Sequence, residues 1–317
     1  MRAIVCMLVA GCMAASPAAD VSCIAPANPG GGWDLTCRAT AEVLSATDSA
    51  LAPLAVVNMP GDGGAAAFAA TVERMRGNEN VIVAASPSTL LGLAQRHYGS
   101  HSETDVRWIA ALGSEPSVIA VASTSRWTSL GEFVAHWRRF PDSVSSGGGS
   151  VTGGQDHIKM LLLASAAAID LRRVHYRALS GPPEAIDSLR AGSIQVFPGD
   201  ASEVVRQVAR KELRVLAVLG AHRAGGVFAD IPTAREQGFD VSWDVWRGFY
   251  APPGISEAAY ERWVERFRAM SESPQWRGVL ERNAMTPFFM SGEEFETFVV
   301  EQTAAYRSVS RAIGVIN

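Results

Sequence analysis

What this 317-residue chain lacks narrows it first. Beyond its N-terminal segment no stretch approaches the roughly 18 apolar residues of a membrane-spanning helix, so the mature protein is expected to be soluble. No basic run occurs: 28 Lys and Arg stand scattered against 32 Asp and Glu, for a formal net charge of -4, which argues against a nucleic-acid partner. The six histidines show neither an H-E-x-x-H motif nor any paired spacing, so no bound metal is expected. Low-complexity tracts and repeats of fixed period are also missing, while 48% hydrophobic residues supply ample material for a buried core. Cysteine is scarce, with Cys6 and Cys12 in the N-terminal segment and only Cys23 and Cys37 after it.

That N-terminal segment reads as a secretory signal. Met1 to Ala19 carries one charge, Arg2, then a short apolar run and the small residues Ser16-Pro17-Ala18 for cleavage, which predicts export to the periplasm. Val9-Ala10-Gly11-Cys12 has the look of a lipobox, so a lipid anchor through Cys12 is an alternative to a free mature chain. In an oxidising compartment Cys23 and Cys37 suit a disulfide, worth about 3 kcal/mol in loop-closure entropy. Two free buried thiols are the alternative, and as a metal pair their spacing fits no zinc signature.

The stretch between those cysteines is the most distinctive in the chain: Ala27-Asn28-Pro29-Gly30-Gly31-Gly32-Trp33-Asp34. It follows an apolar run, Val21 to Ala25, that predicts a strand, and it opens a periodic segment that predicts a helix. Three glycines there expose successive backbone N–H groups at a helix start, where unpaired amides and the helix dipole favour an anion. Asp34 is placed as the N-cap of this helix. A glycine-rich connector without a ligand is the plainer reading of the same residues.

Further along, short β-like runs alternate with helical ones. Strands are expected at Leu54 to Met59, Asn80 to Ala85, Trp108 to Leu112, Ser117 to Ala122, Ser143 to Ser146, Val174 to Tyr176, Ile194 to Phe197 and Arg214 to Leu219. Helices between them start at capping residues such as Ser86-Pro87, Ser129 with Glu132, and Asp200 with Glu203. After a short strand at Gly248 to Ala251, three helices are expected, over Ser256 to Met270, Pro274 to Asn283, and Ser291 to about Ala312. The alternation calls for an α/β fold with mostly parallel sheets and right-handed crossovers, in which ligands sit at the strand-to-helix turns. Two very glycine-rich turns, one early and one at Gly147 to Gly154, suggest two facing lobes with a cleft between them.

Catalytic signatures are weak. Gly61-Asp62-Gly63-Gly64-Ala65-Ala66 fits a dinucleotide fingerprint, but Ala84, Ala85 and Ser86 stand where its acidic partner belongs. Ser150 lies between glycines of the wrong spacing for a nucleophile elbow. His157 is read as polar lining or a capping group, and His175 as a satisfied core residue.

Cys23-Ile24-Ala25-Pro26-Ala27 followed by Pro29-Gly30-Gly31-Gly32-Trp33-Asp34-Leu35-Thr36-Cys37 resembles the opening of the extracytoplasmic solute receptors of tripartite tricarboxylate transporters, the Bug receptors. Asn58-Met59-Pro60-Gly61-Asp62-Gly63-Gly64, Asp105-Val106-Arg107-Trp108, Gly199-Asp200-Ala201-Ser202-Glu203, Ile231-Pro232-Thr233-Ala234-Arg235-Glu236-Gln237-Gly238 and Arg247-Gly248-Phe249-Tyr250 follow in the family's order, over nearly the whole mature chain. The resemblance implies a type II periplasmic-binding-protein fold. Residues 20–118 and 223–317 would form lobe 1, residues 119–222 lobe 2, and the C-terminal helices would pack back on lobe 1. It further implies no catalysis and no cofactor, a small di- or tricarboxylate such as citrate as ligand, a membrane permease as partner, and a monomer. One ligand carboxylate would meet backbone groups of two turns, carried here by Gly30, Gly31, Gly32, Trp33 and Asp34 and by Gly148, Gly149, Ser150 and Val151. Ser86, Ser88, Thr89, Asp200 and Arg247 are the candidates for specificity. Pro182-Pro183 departs from the family's pattern and removes two amide donors. The alternatives are a sensing subunit that signals to a membrane kinase and a periplasmic enzyme, which would need a general base such as His157 or Asp200.

Overall fold

The first strand, β1 (Ser22–Ala25), is buried between two parallel neighbours, and this three-stranded core anchors the early glycine turn. The computed structural model describes residues 21–48, 51 and 53–317, so the expected signal Met1 to Ala19 and Cys12 lie outside the described residues. After β1 come α1 (Gly32–Thr47), β2 (Ala55–Asn58), α2 (Ala65–Arg74), β3 (Val81–Ala85), α3 (Pro87–Ala94) and a long β4 (Arg107–Ala122). The chain continues through α4 (Leu130–Arg139), β5 (Ser145–Gly148), α5 (Gln155–Ala166), β6 (His175–Ala178), α6 (Pro182–Arg190), α7 (Ala201–Ala209) and β7 (Leu213–Leu219). It closes with β8 (Asp244–Ala251), α8 (Glu257–Glu272), α9 (Pro274–Arg282), β9 (Thr286–Ser291) and α10 (Gly292–Ala312).

The fold is α/β as expected, with a mixed main sheet. Its order is β2-β1-β3-β8-β4-β7, with β9 also on β4, and β5 and β6 form a separate parallel pair. Only β2, β1 and β3 run parallel within it; β8, β7 and β9 all pair antiparallel. The reason is β4. Gly113-Ser114-Glu115-Pro116 breaks its apolar pattern, so the sequence predicts two strands, yet the backbone runs through as one sixteen-residue strand. Its first half pairs with β8 and β9 and its second half with β7, which makes it the spine of both halves of the molecule.

Other differences are local. Ile194 to Phe197 forms only isolated bridges through Val196 and Phe197, and β9 falls where no strand is expected. Ser129 and Ser256 cap their helices, Ser129 Oγ accepting from the Glu132 amide, but Ser291 precedes α10 without a side-chain cap, and the Glu132 carboxylate accepts from Thr128 rather than from the Ser129 amide. Helices α8 and α9 pack against the β1–β3–β8 half through Trp263, Phe267 and Trp276. Helix α10 begins there with Phe295 and Val299 but ends beside the other half, where Tyr306 stacks on Trp243 at 5.1 Å. The first half of α10 thus packs on the β1–β3–β8 half and its second half reaches the core that holds α4 and α5.

Candidate functional site

The strand-to-helix turns meet around a cleft of about 270 Å³. One wall carries the starts of α1 and α3 and the turn at residues 60–63; the other carries residues 149–156 and 179–182. The walls touch at the rim. Asn28 Nδ2 donates to the Ser180 carbonyl at 2.8 Å, Ser88 Oγ to Gln155 Oε1 at 3.3 Å, and Gln95 Nε2 to the Gly153 carbonyl at 2.9 Å.

Helix α1 starts one turn earlier than the sequence suggests. Gly31 occupies the N-cap with extended backbone, no side chain caps this end, and Asp34 therefore sits at the third helical position, not the N-cap. The carboxylate of Asp34 still reaches back, accepting from the Gly30 amide, Arg38 Nε and Asn58 Nδ2, each at 2.9 Å. Burial pushes the Asp34 carboxyl up, but the bonds from Arg38, Gly30 and Asn58 outweigh it and hold it below the ordinary carboxylate range. The amides of Gly32 and Trp33 come first in the helix, have no intrahelical acceptor, and border the cleft. A Cβ at Gly32 would collide with the Arg247 guanidinium, so glycine is required for that close approach. Cys23 and Cys37 form the expected disulfide, Cα–Cα 5.7 Å, clamping the strand to the helix on either side of the turn.

At the start of α3, Ser86 Oγ accepts from the Ser88 amide (3.3 Å) and from Trp33 Nε1 (3.0 Å), which leaves its own proton available to the cleft. Across from it, Gly149, Ser150 and Val151 line the cavity. The Ser150 amide is taken by Asp156 Oδ2 at 3.2 Å; those of Gly149 and Val151 have no acceptor among the described residues. Pro182 and Pro183 open α6 without N–H groups and pack toward Gly31 and Gly30 instead of offering donors.

Of the candidate residues, the cleft gathers Gly31, Gly32, Trp33, Ser86, Ser88, Gly149, Ser150, Val151, Asp200 and Arg247. Gly30 and Asp34 instead face a neighbouring cavity of about 460 Å³, Thr89 is buried in the α3 capping box, and Gly148 lies in β5 against Asp156. His157 accepts from the Gly153 amide at 3.0 Å and stacks on Tyr176, a capping group and not lining. Burial keeps its imidazole below the ordinary value. His175 is exposed beside Asp142, not a core residue.

The floor of the cleft is ionic, and most of it escaped the sequence reading. Arg247 on β8 donates to Glu115 on β4 through Nε (2.9 Å) and Nη2 (2.6 Å), and to Asp200 at 2.9 Å. Asp200 also accepts from Lys159 Nζ (2.7 Å), Ser117 Oγ (3.1 Å) and Gln155 Nε2 (3.1 Å), while its backbone N–H is bound by Glu203 at 2.9 Å. Lys159, fully buried, bridges Asp200 to Asp156 (3.1 Å). Burial raises the Asp200 carboxyl, but Lys159 and Arg247 together bring it below its ordinary value. Burial pushes Glu115, Asp156 and, furthest, Glu203 upward; for Glu203 the nearby Asp200 adds to it. Asp200 is thus both the α7 cap and a saturated ion-pair hub. The available clues were a lysine inside the apolar run of α5 and a glutamate inside β4.

A closed, two-walled cleft with helix N-termini on both sides, on this sheet topology, defines a small-ligand receptor of the periplasmic-binding-protein class. Residues 43–315 match the tripartite tricarboxylate transporter family receptor, and the chain belongs to that family, as its motifs suggested. These are periplasmic solute-binding receptors that work with transporter permeases, and they are not enzymes. Protein BugT of Bordetella pertussis is similar at 25% identity, over 94% of this chain and 90% of its own. Two solved structures share the fold at 18% identity: Rpa4515 of R. palustris with adipate, TM-score 0.85, and MatC of Rhodopseudomonas palustris with bound malate, TM-score 0.79. The first covers 93% of this chain and 97% of that one, the second 93% and 99%. Among the described residues no helix is long and apolar enough to cross a membrane, and no cluster of metal-ligating side chains occurs.

Proposed function

We propose that this protein captures a small organic acid of the di- or tricarboxylate class in the periplasm and hands it to the permease of a tripartite transporter, acting as a monomer. Residues 20–118 with 223–317 and residues 119–222 serve as the two lobes, closing over the ligand by bending within β4 and in the segment that follows β7, where the chain passes between them. The observation that carries this reading is that the amides of Gly32 and Trp33 on one wall, and of Gly149 and Val151 on the other, have no acceptor among the described residues and belong to residues that line the cleft. One ligand carboxylate rests there, with the dipoles of α1 and α5 adding to the attraction. Adipate and malate in two similar proteins support an acid of this size.

A thermal-shift screen of the mature chain against mono-, di- and tricarboxylates tests the proposal. A ligand at 100 times its dissociation constant stabilises the fold by about 2.7 kcal/mol. A screen in which no carboxylate raises the melting temperature overturns it.

A further inference from the structure

The cleft floor holds more carboxyl groups than cations. Lys159 and Arg247 stand against Glu115, Asp156 and Asp200, and these five are bonded to one another with almost no access to water. Glu203 borders the same cleft as a further carboxyl without a cation of its own. One of its oxygens accepts the Asp200 amide; the other has no partner among the described residues. Arg247 offers the complementary group. It is 4% exposed, its Nε and Nη2 are committed to Glu115 and Asp200, and its Nη1, beside Gly32, has no acceptor among the described residues. A vacant donor and a vacant acceptor therefore border one cavity, close enough that the charge of Glu203 acts on Arg247.

Resting on the receptor reading above, we infer that the ligand is an amino acid, not a plain acid: its carboxylate meets Arg247 Nη1 and the α1 amides, and its ammonium is read by Glu203. A second carboxylate placed at Glu203 would add one more acid to a floor already short of cations, whereas an ammonium supplies the cation it lacks. Burial and the nearby Asp200 drive the Glu203 carboxyl well above its ordinary value, in keeping with a group that lacks a cation beside it. An arriving ammonium favours the ionised carboxylate, so binding at a pH below the folded-state value of Glu203 releases a proton.

Titration calorimetry on the mature chain with matched pairs tests this: aspartate against succinate, glutamate against glutarate, alanine against propionate. In the pair that binds most tightly the aminated member is expected to win by about tenfold or more, the equivalent of about 1.4 kcal/mol. Its binding releases protons, read as a heat that depends on the buffer's ionisation enthalpy. Glu203→Gln keeps an oxygen for the Asp200 amide, so it is expected to fold; it loses the tenfold preference and the proton release, the aminated acid weakening while the plain acid, no longer opposed by a carboxylate, holds or gains. A wild-type preference for the plain acid, or equal weakening of both members by Glu203→Gln, overturns the inference and leaves the receptor reading intact. Failure of every acid to bind overturns both.

Discussion

At the scale of single residues, Lys159 carries the most weight. It is fully buried, with Asp156, Asp200 and the Pro198 carbonyl each within 3.1 Å of its Nζ. Among the described residues, Lys159→Met removes the only cation held by Asp156 and one of two held by Asp200. Breaking a buried pair from one side costs about 3–5 kcal/mol, so denaturant unfolding should show a loss of that order. A loss below about 1 kcal/mol would mean that the network is hydrated. Glu203 predicts the opposite kind of effect. Its folded-state value is raised above the ordinary 4.5, so the stability it contributes is complete below that pH and is lost as pH rises through the folded value. Glu203→Gln removes this dependence: its melting temperature should gain on wild type progressively as pH rises from 4.5. Parallel profiles would refute the assignment. Little of this floor was legible beforehand. Asp200 and Arg247 stood out as candidates, but Lys159 lies inside an apolar run and Glu115 in the polar break of β4, where a charge is visible in sequence while its partner, 132 residues away for Glu115 and Arg247, is not.

At the scale of elements, the opening of α1 shows why sequence reads some features well. The strand, the glycine turn, the helix and the disulfide are all local, determined by spacing within about twenty residues, and all formed close to where they were expected. The N-cap moved from Asp34 to Gly31 because the carboxylate caps from inside the helix, a choice that depends on Arg38 and Asn58. The expected parallel pairing formed among β1, β2 and β3 and between β5 and β6, and nowhere else among the described strands. Pairing of β4 with β7, β8 and β9 is set by long-range packing, and the polar break at Gly113 to Pro116 hid its continuity. Two tests belong here. Replacing Cys23 and Cys37 together by Ala opens a cross-link of sequence separation 14 and should cost about 3 kcal/mol in reversible unfolding. No change on reduction or replacement would show that the turn is held by packing alone. Gly32→Ala drives a methyl group into Arg247 and should cost about 1–3 kcal/mol while abolishing the ligand-induced thermal shift. A variant that binds normally would remove Gly32 from the site.

At the scale of the whole molecule, closure is held by few contacts. Asn28, Ser88 and Gln95 each make one hydrogen bond across the rim, while β4 and β8 run continuously beneath. Bonds of this kind contribute about 0.5–1.5 kcal/mol each, so removing two of them by Asn28→Ala and Gln95→Ala should weaken ligand binding several-fold without unfolding the protein. Small-angle scattering should then show the double variant more expanded than wild type before ligand is added. The claim beneath all of this is that bare backbone amides on the two walls seize a carboxylate. Amide NMR of the mature, isotope-labelled chain during titration with its tightest-binding acid examines it most directly. The account predicts the largest downfield shifts at Gly32, Trp33, Gly149 and Val151 together; shifts confined to one wall, or centred on the neighbouring cavity around Gly30 and Asp34, would contradict it.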